Sequence, residues 1–188
     1  MSVSLGDCIL DYCAGNGGKS LAMWSMSMGK ASITVYDRDK NRLNSLMRRA
    51  ELYGANVKVL ERPCGAGKNE PSELFDVVLV DAPCTGTGAV RRNPEAKYVD
   101  GPGTYPEVQL AILDEAKSFV ARNGCLIYTV CSVLEAETSE VIERFMNVSD
   151  SFELVNHEHN EFEFVYRNGV YLTIPEADPM FIAVLKKR

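Results

Sequence analysis

Two cysteines stand where a thiol could do chemistry. Cys84 closes the segment Phe75-Asp-Val-Val-Leu-Val-Asp-Ala-Pro-Cys, and Cys131 closes Leu126-Ile-Tyr-Thr-Val-Cys, so each follows an apolar run of strand length. Asp81 lies three residues ahead of Cys84. If both runs are strands of a parallel sheet, their carboxyl ends open on the crevice where such sheets bind ligands. A thiolate there can attack an electron-poor carbon, and a carboxyl group beside it can hold a proton or stabilise developing charge. Either cysteine alone is better read as a small apolar core residue. The pair beside Asp81 points to chemistry, without saying which thiol attacks.

A third segment suggests what the thiols would work with. The run Cys8 to Cys13 leads into Asp11-Tyr-Cys-Ala-Gly-Asn-Gly-Gly-Lys-Ser20, read as a strand, a glycine-rich turn and a helix beginning near Lys19. Gly15, Gly17 and Gly18 let the backbone approach a ligand closely, and the helix N-terminus can face a polar or anionic group. The spacing is not GxGxxG, and it is not a phosphate-binding P-loop, because Cys13 occupies the position of the required first glycine. The next apolar run ends at Asp37, where a doubly wound nucleotide fold places an acid on ribose hydroxyls. Methyl transfer to nitrogen or oxygen needs no cysteine, because the acceptor has a lone pair. Carbon 5 of a pyrimidine has none, and a thiolate adding to carbon 6 makes carbon 5 an enamine-like nucleophile. A methyl donor paired with two thiols therefore suggests pyrimidine carbon-5 chemistry, with Asp81 near the ring's N3 and amino edge.

The positioning elements follow from pattern. Apolar runs at Cys8 to Cys13, Ala31 to Tyr36, Val57 to Leu60, Phe75 to Val80, Cys125 to Val130 and Phe181 to Leu185 alternate with amphipathic stretches, which predicts an α/β, doubly wound, mostly parallel sheet. Helices are expected over Asp39 to Tyr53, with Leu43, Leu46, Met47 and Ala50 inward and Gly54 as the stop, over Pro106 to Ala121, with Val108, Ile112, Ala116, Phe119 and Val120 on one face, and over Glu135 to Phe145. Pro83 to Gly88 and Pro94 to Pro106 read as loops. The methionines at 23, 26 and 28 and Trp24 are expected to pack in the core.

Composition narrows the class. The chain has 188 residues, enough for the single domain expected over 1–188, and no apolar run long enough to cross a bilayer. Nothing at the N-terminus reads as a secretory signal, so a soluble, intracellular protein with reduced cysteines is expected. None of the six cysteines forms a CxxC pair, and His157 and His159 lack a third ligand, so no metal is expected. The net charge of −6 looks wrong for a nucleic-acid partner. Nine acids against one base, Arg144, between Glu135 and Glu163 account for it, and that run reads as a solvated face lying away from any RNA track.

Together these segments resemble the Nop/Sun family of RNA cytosine carbon-5 methyltransferases, from about Gly6 to Lys187. DYCAGNGGKS is similar to the family's cofactor loop, VYDRDKNRL to its ribose-binding acid and following helix, DAPCTGTGAVRRNPEAK to its proline-cysteine loop, YTVCS to its catalytic segment and DPMFIAVLKK to its last strand. The resemblance implies an S-adenosylmethionine-dependent fold with an antiparallel last strand and transfer or ribosomal RNA as partner. It implies Cys131 as nucleophile, Cys84 in product release, and Asp81 and Lys19 lining the catalytic pocket. It implies a cofactor site of Cys13, Ala14, Gly15, Asn16, Gly17, Gly18, Lys19, Asp37, Arg42 and Asp81, and gives Arg92 to loop support or RNA contact. Three departures stand out: Asn16 for a common proline or alanine, Thr129-Val130 for a common Ser-Thr, and Leu60-Glu-Arg-Pro63 where the family has an Asp near the adenine. Family members also carry an RNA-binding segment ahead of the cofactor loop, so the chain is expected to be the catalytic core of a longer protein. Two alternatives are a DNA cytosine methyltransferase using Cys84 and a non-catalytic RNA-binding module that keeps the fold.

Overall fold

A computed structural model describes residues 7–60, 73–155, 163–166, 168–172 and 177–188. The chain divides into two compact units, residues 1–81 with 115–126, and residues 82–114 with 127–188.

In the first unit, strand β1 (Cys8–Asp11) is flanked on both sides by parallel strands, β2 (Ser32–Val35) and β4 (Phe75–Asp81), and β2 carries a further parallel strand, β3 (Val57–Val59). Ile9 registers with Ile33 on one side and Val77 on the other. Ile9, Leu10, Ile33, Val35, Val78 and Val80 are all fully buried. Burial on both faces is why these strands are continuous apolar runs rather than alternating ones. The crossovers are helices α1 (Gly18–Met26) and α2 (Lys40–Leu52). Asp39 caps α2, accepting the Asn41 amide at 2.8 Å, Leu46 and Ala50 point inward, and Gly54 at φ +64° ends the element as expected.

Helix α1 corrects one expectation. Its buried residues are Ser20 and Leu21, whereas Met26 and Met28 are 71% and 70% exposed. The chain leaves α1 through the buried Ser27, whose hydroxyl donates to the Trp24 carbonyl and accepts the Ala31 amide, and this turn swings both methionines outward. Trp24 is half-buried and lines a hollow of about 280 Å³ with Leu21, Arg49 and Tyr53.

Helix α3 (Tyr105–Ala116) and strand β5 (Val120–Val130) contribute residues to both units. The inward stripe of α3 is Pro106, Gln109, Leu113 and Ala116, not the expected Val108 and Ile112; Val108 is 39% exposed. The second unit adds α4 (Ser139–Asn147), which buries Val141, Ile142 and Phe145. It also contains strands β6 (Phe152–Leu154), β7 (Glu163–Tyr166), β8 (Gly169–Leu172) and β9 (Met180–Lys187). The last strand, β9, is antiparallel to β6 and β8, with Tyr171 opposite Phe181, and β7 and β8 form an antiparallel hairpin. The α/β class and the antiparallel last strand are thus as expected. The short β6, β7 and β8 were not, because three- and four-residue strands leave too little period to read.

Candidate active site

The glycine turn and the acids of the first unit form one constellation. Residues 12–17 leave β1 through three backbone bonds, Tyr12 N to Leu79 O, Ala14 N to Tyr36 O and Gly17 N to Ala14 O, so the turn is pinned to both neighbouring strands. Gly17 has φ +80°, and a Cβ there would lie 2.5 Å from Leu46 Cγ of α2. Gly15 has φ +53°, with open space where its Cβ would be, as has Gly18. Gly17 is therefore needed for packing, while Gly15 and Gly18 leave room above the turn. Asp37 reaches back to this turn. One carboxylate oxygen accepts the Gly15 amide and the other the Asp39 amide, both at 2.8 Å. Each oxygen can accept twice, so capacity for ribose hydroxyls remains. Arg49 of α2 donates to the Asn16 carbonyl, fixing the middle of the turn.

Beneath the turn, Lys19 Nζ lies 2.6 Å from Asp81 Oδ2, both side chains partly exposed. Asp11, at the end of β1, is buried. Its Oδ2 accepts the Ser20 hydroxyl at 2.6 Å, and its Oδ1 has no hydrogen-bond partner. Burial pushes its carboxyl up to about 6, against the Ser20 bond that lowers it. The Cys13 thiol is pushed well above its ordinary range by burial, with Asp11, Asp37, Asp81 and Glu115 adding repulsion, so it stays a neutral thiol. Arg42, expected at the cofactor, pairs instead with the helix cap Asp39 at 3.6 Å on an exposed face.

In the second unit the two thiols meet. Cys84 Sγ and Cys131 Sγ are 3.5 Å apart. The Cys84 thiol is pushed up, first by its hydrogen bond to Cys131 and then by burial. The loop bearing Cys84 returns tightly: Gly88 N donates to the Cys131 carbonyl at 3.0 Å, and a Cβ at Gly88 would lie 2.9 Å from the Pro179 carbonyl oxygen. Further along, Arg91 and Arg92 both pair with Asp178, whose side chain is covered.

One residue of this cluster was misread in the sequence. Glu137 was counted among solvated acids, yet it is fully buried. Its Oε1 accepts the Thr85 amide at 2.9 Å and Gln109 Nε2 at 3.2 Å, and its Oε2 accepts the Thr85 and Ser132 hydroxyls. Its backbone carbonyl accepts the Tyr128 hydroxyl at 2.6 Å. Its place six residues after Cys131, just ahead of α4, does not separate it in the sequence from the solvated acids around it.

Comparison with known proteins decides the family. The family described as 16S rRNA methyltransferase RsmB/F matches residues 2–186. The chain belongs to that family. It is 35% identical over 152 residues to the probable ribosomal RNA small subunit methyltransferase B of Bacillus subtilis, covering 78% of this chain and 34% of that protein. The chain spans about a third of the length of the curated relatives it matches. The crystal structure of PH0851 superposes with a TM-score of 0.84 at 28% identity over 98% of this chain and 43% of that one. NSun6 from Pyrococcus horikoshii, solved with SFG, gives 0.73 at 24% identity over 98% of this chain and 48% of that one, a likeness of fold. The Nop/Sun resemblance read from the sequence motifs is therefore correct.

Of the expected site residues, the first unit brings together Gly15 with Asp37 and Lys19 with Asp81, and the second brings together Cys84 and Cys131. Cys8, Cys13, Cys84, Cys125 and Cys131 are not in disulfides. Among the described residues, no group of three His, Cys, Asp or Glu side chains is placed to hold a metal ion, and no helix is long and apolar enough to cross a membrane. His157, His159, Cys64 and the Glu61-Arg62-Pro63 departure lie outside the described residues.

Proposed function

We propose that the chain is the catalytic core of an S-adenosylmethionine-dependent enzyme that methylates carbon 5 of a cytosine in RNA, with small-subunit ribosomal RNA as the substrate its relatives' names suggest. The observation that carries this reading is the thiol pair: two cysteines from segments remote in sequence whose sulfurs lie 3.5 Å apart. S-adenosylmethionine supplies the methyl group. The residues present fit it, since the open space over Gly15 and Gly18 and the spare acceptor capacity of Asp37 suit a nucleoside with ribose hydroxyls.

Cys131 adds through sulfur to carbon 6 of the ring, and the ring's electrons move to carbon 5, which takes the methyl group. Loss of the carbon 5 proton to a base then expels Cys131 as thiolate and restores the aromatic ring. Asp81, oriented by Lys19, serves the N3 and amino edge as charge develops there. With Cys131 as thiolate, the Cys84 S–H 3.5 Å away can donate to it and stabilise it both before attack and on departure. A DNA-type reaction with Cys84 as nucleophile is the alternative that single cysteine variants separate from this one.

The test is a denaturant-resistant complex between the full-length protein and its RNA. The complex should form in Cys84→Ala, where release is slowed, and be absent in Cys131→Ala, whose methyl transfer falls by about 10⁴-fold or more. A complex that survives Cys131→Ala and vanishes with Cys84→Ala would reverse the assignment. Methyl transfer undiminished in Cys131→Ala would remove the covalent mechanism.

A further inference from the structure

We infer that Glu137 is the positioning residue of the thiol pair: its buried carboxylate sets the separation of the Cys84 and Cys131 sulfurs by holding the residue that follows each. For its catalytic consequence this rests on the reading of Cys131 as nucleophile.

Every donor on the Glu137 carboxylate belongs to, or is tied to, a thiol-bearing segment. Thr85, next after Cys84, donates through both its amide and its hydroxyl. Ser132, next after Cys131, donates its hydroxyl at 2.6 Å. Gln109, fully buried on α3, divides its amide nitrogen between Glu137 Oε1 and the carbonyl of Pro83, the residue before Cys84, at 2.9 Å. The carboxylate therefore grips the Cys84 loop on both sides of the thiol and the Cys131 segment on one.

A second layer tightens the same link. The Thr87 and Ser132 hydroxyls are 3.1 Å apart, the Val133 amide donates to the Thr87 hydroxyl, and the Leu134 amide donates to Ser132 Oγ. The Tyr128 hydroxyl anchors the Glu137 backbone to β5, the strand that delivers Cys131.

Burying a carboxylate is unfavourable unless its hydrogen bonds are complete, and apolar side chains fill a core at less cost. A core that needed only filling would have no use for this residue. What the four bonds provide is a fixed relation between two loops remote in sequence. A 3.5 Å S–S contact, on which the proton arrangement depends, is lost with a displacement of about 1 Å, enough to reduce a rate about 100-fold.

The experiment uses the full-length protein with Glu137→Gln and Glu137→Ala, and with Thr85→Val and Ser132→Ala as single-bond cuts. Folding and the first unit are checked by thermal unfolding and by S-adenosylmethionine titration. Iodoacetamide labelling of Cys131 and Cys84 is then followed against pH, each site read by peptide mass spectrometry. In the parent, Cys131, the proposed nucleophile, should label at lower pH than Cys84. In Glu137→Gln the two profiles should converge, Cys131 moving to higher pH and labelling roughly threefold more slowly near neutrality. Single-turnover methylation should fall about 100-fold in Glu137→Ala and less in Glu137→Gln, with cofactor affinity unchanged within about twofold.

Labelling profiles that stay apart and unshifted in folded Glu137→Gln would overturn the proposal. Should Glu137→Ala fail to fold, Thr85→Val and Ser132→Ala decide it by the same readout: a shift in either supports the positioning role, and none in both overturns it. Labelling needs no RNA, so a shift in the variants of a protein that never methylates cytosine would keep the positioning and reject the reaction. Cytosine methylation with unmoved labelling would do the reverse.

Discussion

Asp37 and Glu137 do similar work in two regions, and they differ in what they leave over. Asp37 takes one backbone amide on each oxygen and is only half-buried, so it shapes the glycine turn and still has lone pairs to offer. Glu137 takes two donors on each oxygen and is wholly buried, so it has nothing left for a ligand. The first pattern belongs to a binding group that also organises, the second to an organiser alone. Spare acceptor capacity, rather than charge, tells them apart.

The sharpest way to break the Asp37 side of this comparison is Asp37→Ala. It removes ribose acceptors and also releases the Gly15 and Asp39 amides. S-adenosylmethionine affinity should fall about 100-fold by calorimetry, with Asp37→Asn falling less because one oxygen can still hold Gly15. Equal loss in both variants would mean that charge alone matters.

Comparable in size is Asp11→Asn, which probes a carboxyl with neither surplus use nor full satisfaction. The folded protein holds this carboxyl near 6, above its ordinary 3.8, so between those values the native state binds the extra proton. Stability therefore falls as pH rises through that window and stays lowered above it. Asp11→Asn, which cannot ionise, should match the parent at pH 4 and exceed it at pH 8 by up to about 3 kcal/mol in urea unfolding. A gap that did not change with pH would show that the orphaned Oδ1, rather than ionisation, is the source of strain.

The smallest effect tests whether the turn is shaped by packing as well as by Asp37. Gly17→Ala places a Cβ against Leu46 at a positive φ and should cost about 1–3 kcal/mol in the same assay. Leu46→Ala in the same chain would relieve the collision but not the backbone strain. The double variant should therefore lie closer to Leu46→Ala alone than additivity allows.

What could be read from the sequence was local. The glycine turn and Asp37 lie within one β-α-β unit, α2 is the crossover of the next, and their spacing carries their relation. The thiols were legible because each ends an apolar run. Glu137 was not, because its donors come from residues 85, 109 and 132, and nothing near position 137 tells a buried acid from the solvated ones around it. Gln109 is hidden in the same way, and apolar residue type alone points the α3 stripe through Val108, which is exposed, rather than through Gln109, which is buried. The two errors have one cause, since the inward faces of α3 and the α4 entry carry polar groups that satisfy each other.

The Glu137 hub also changes how a related sequence should be read. A cysteine pair alone is a weak marker, since thiols persist as ordinary packing residues after an activity is lost. A Thr directly after the first cysteine, a Ser directly after the second and a Glu five residues beyond that Ser form a compound signature whose members have no reason to occur together except through their bonds. A homologous chain that keeps both thiols but lacks this trio would be expected to keep the fold with its thiols no longer in register, and one that exchanges the trio as a set would be expected to have kept the chemistry.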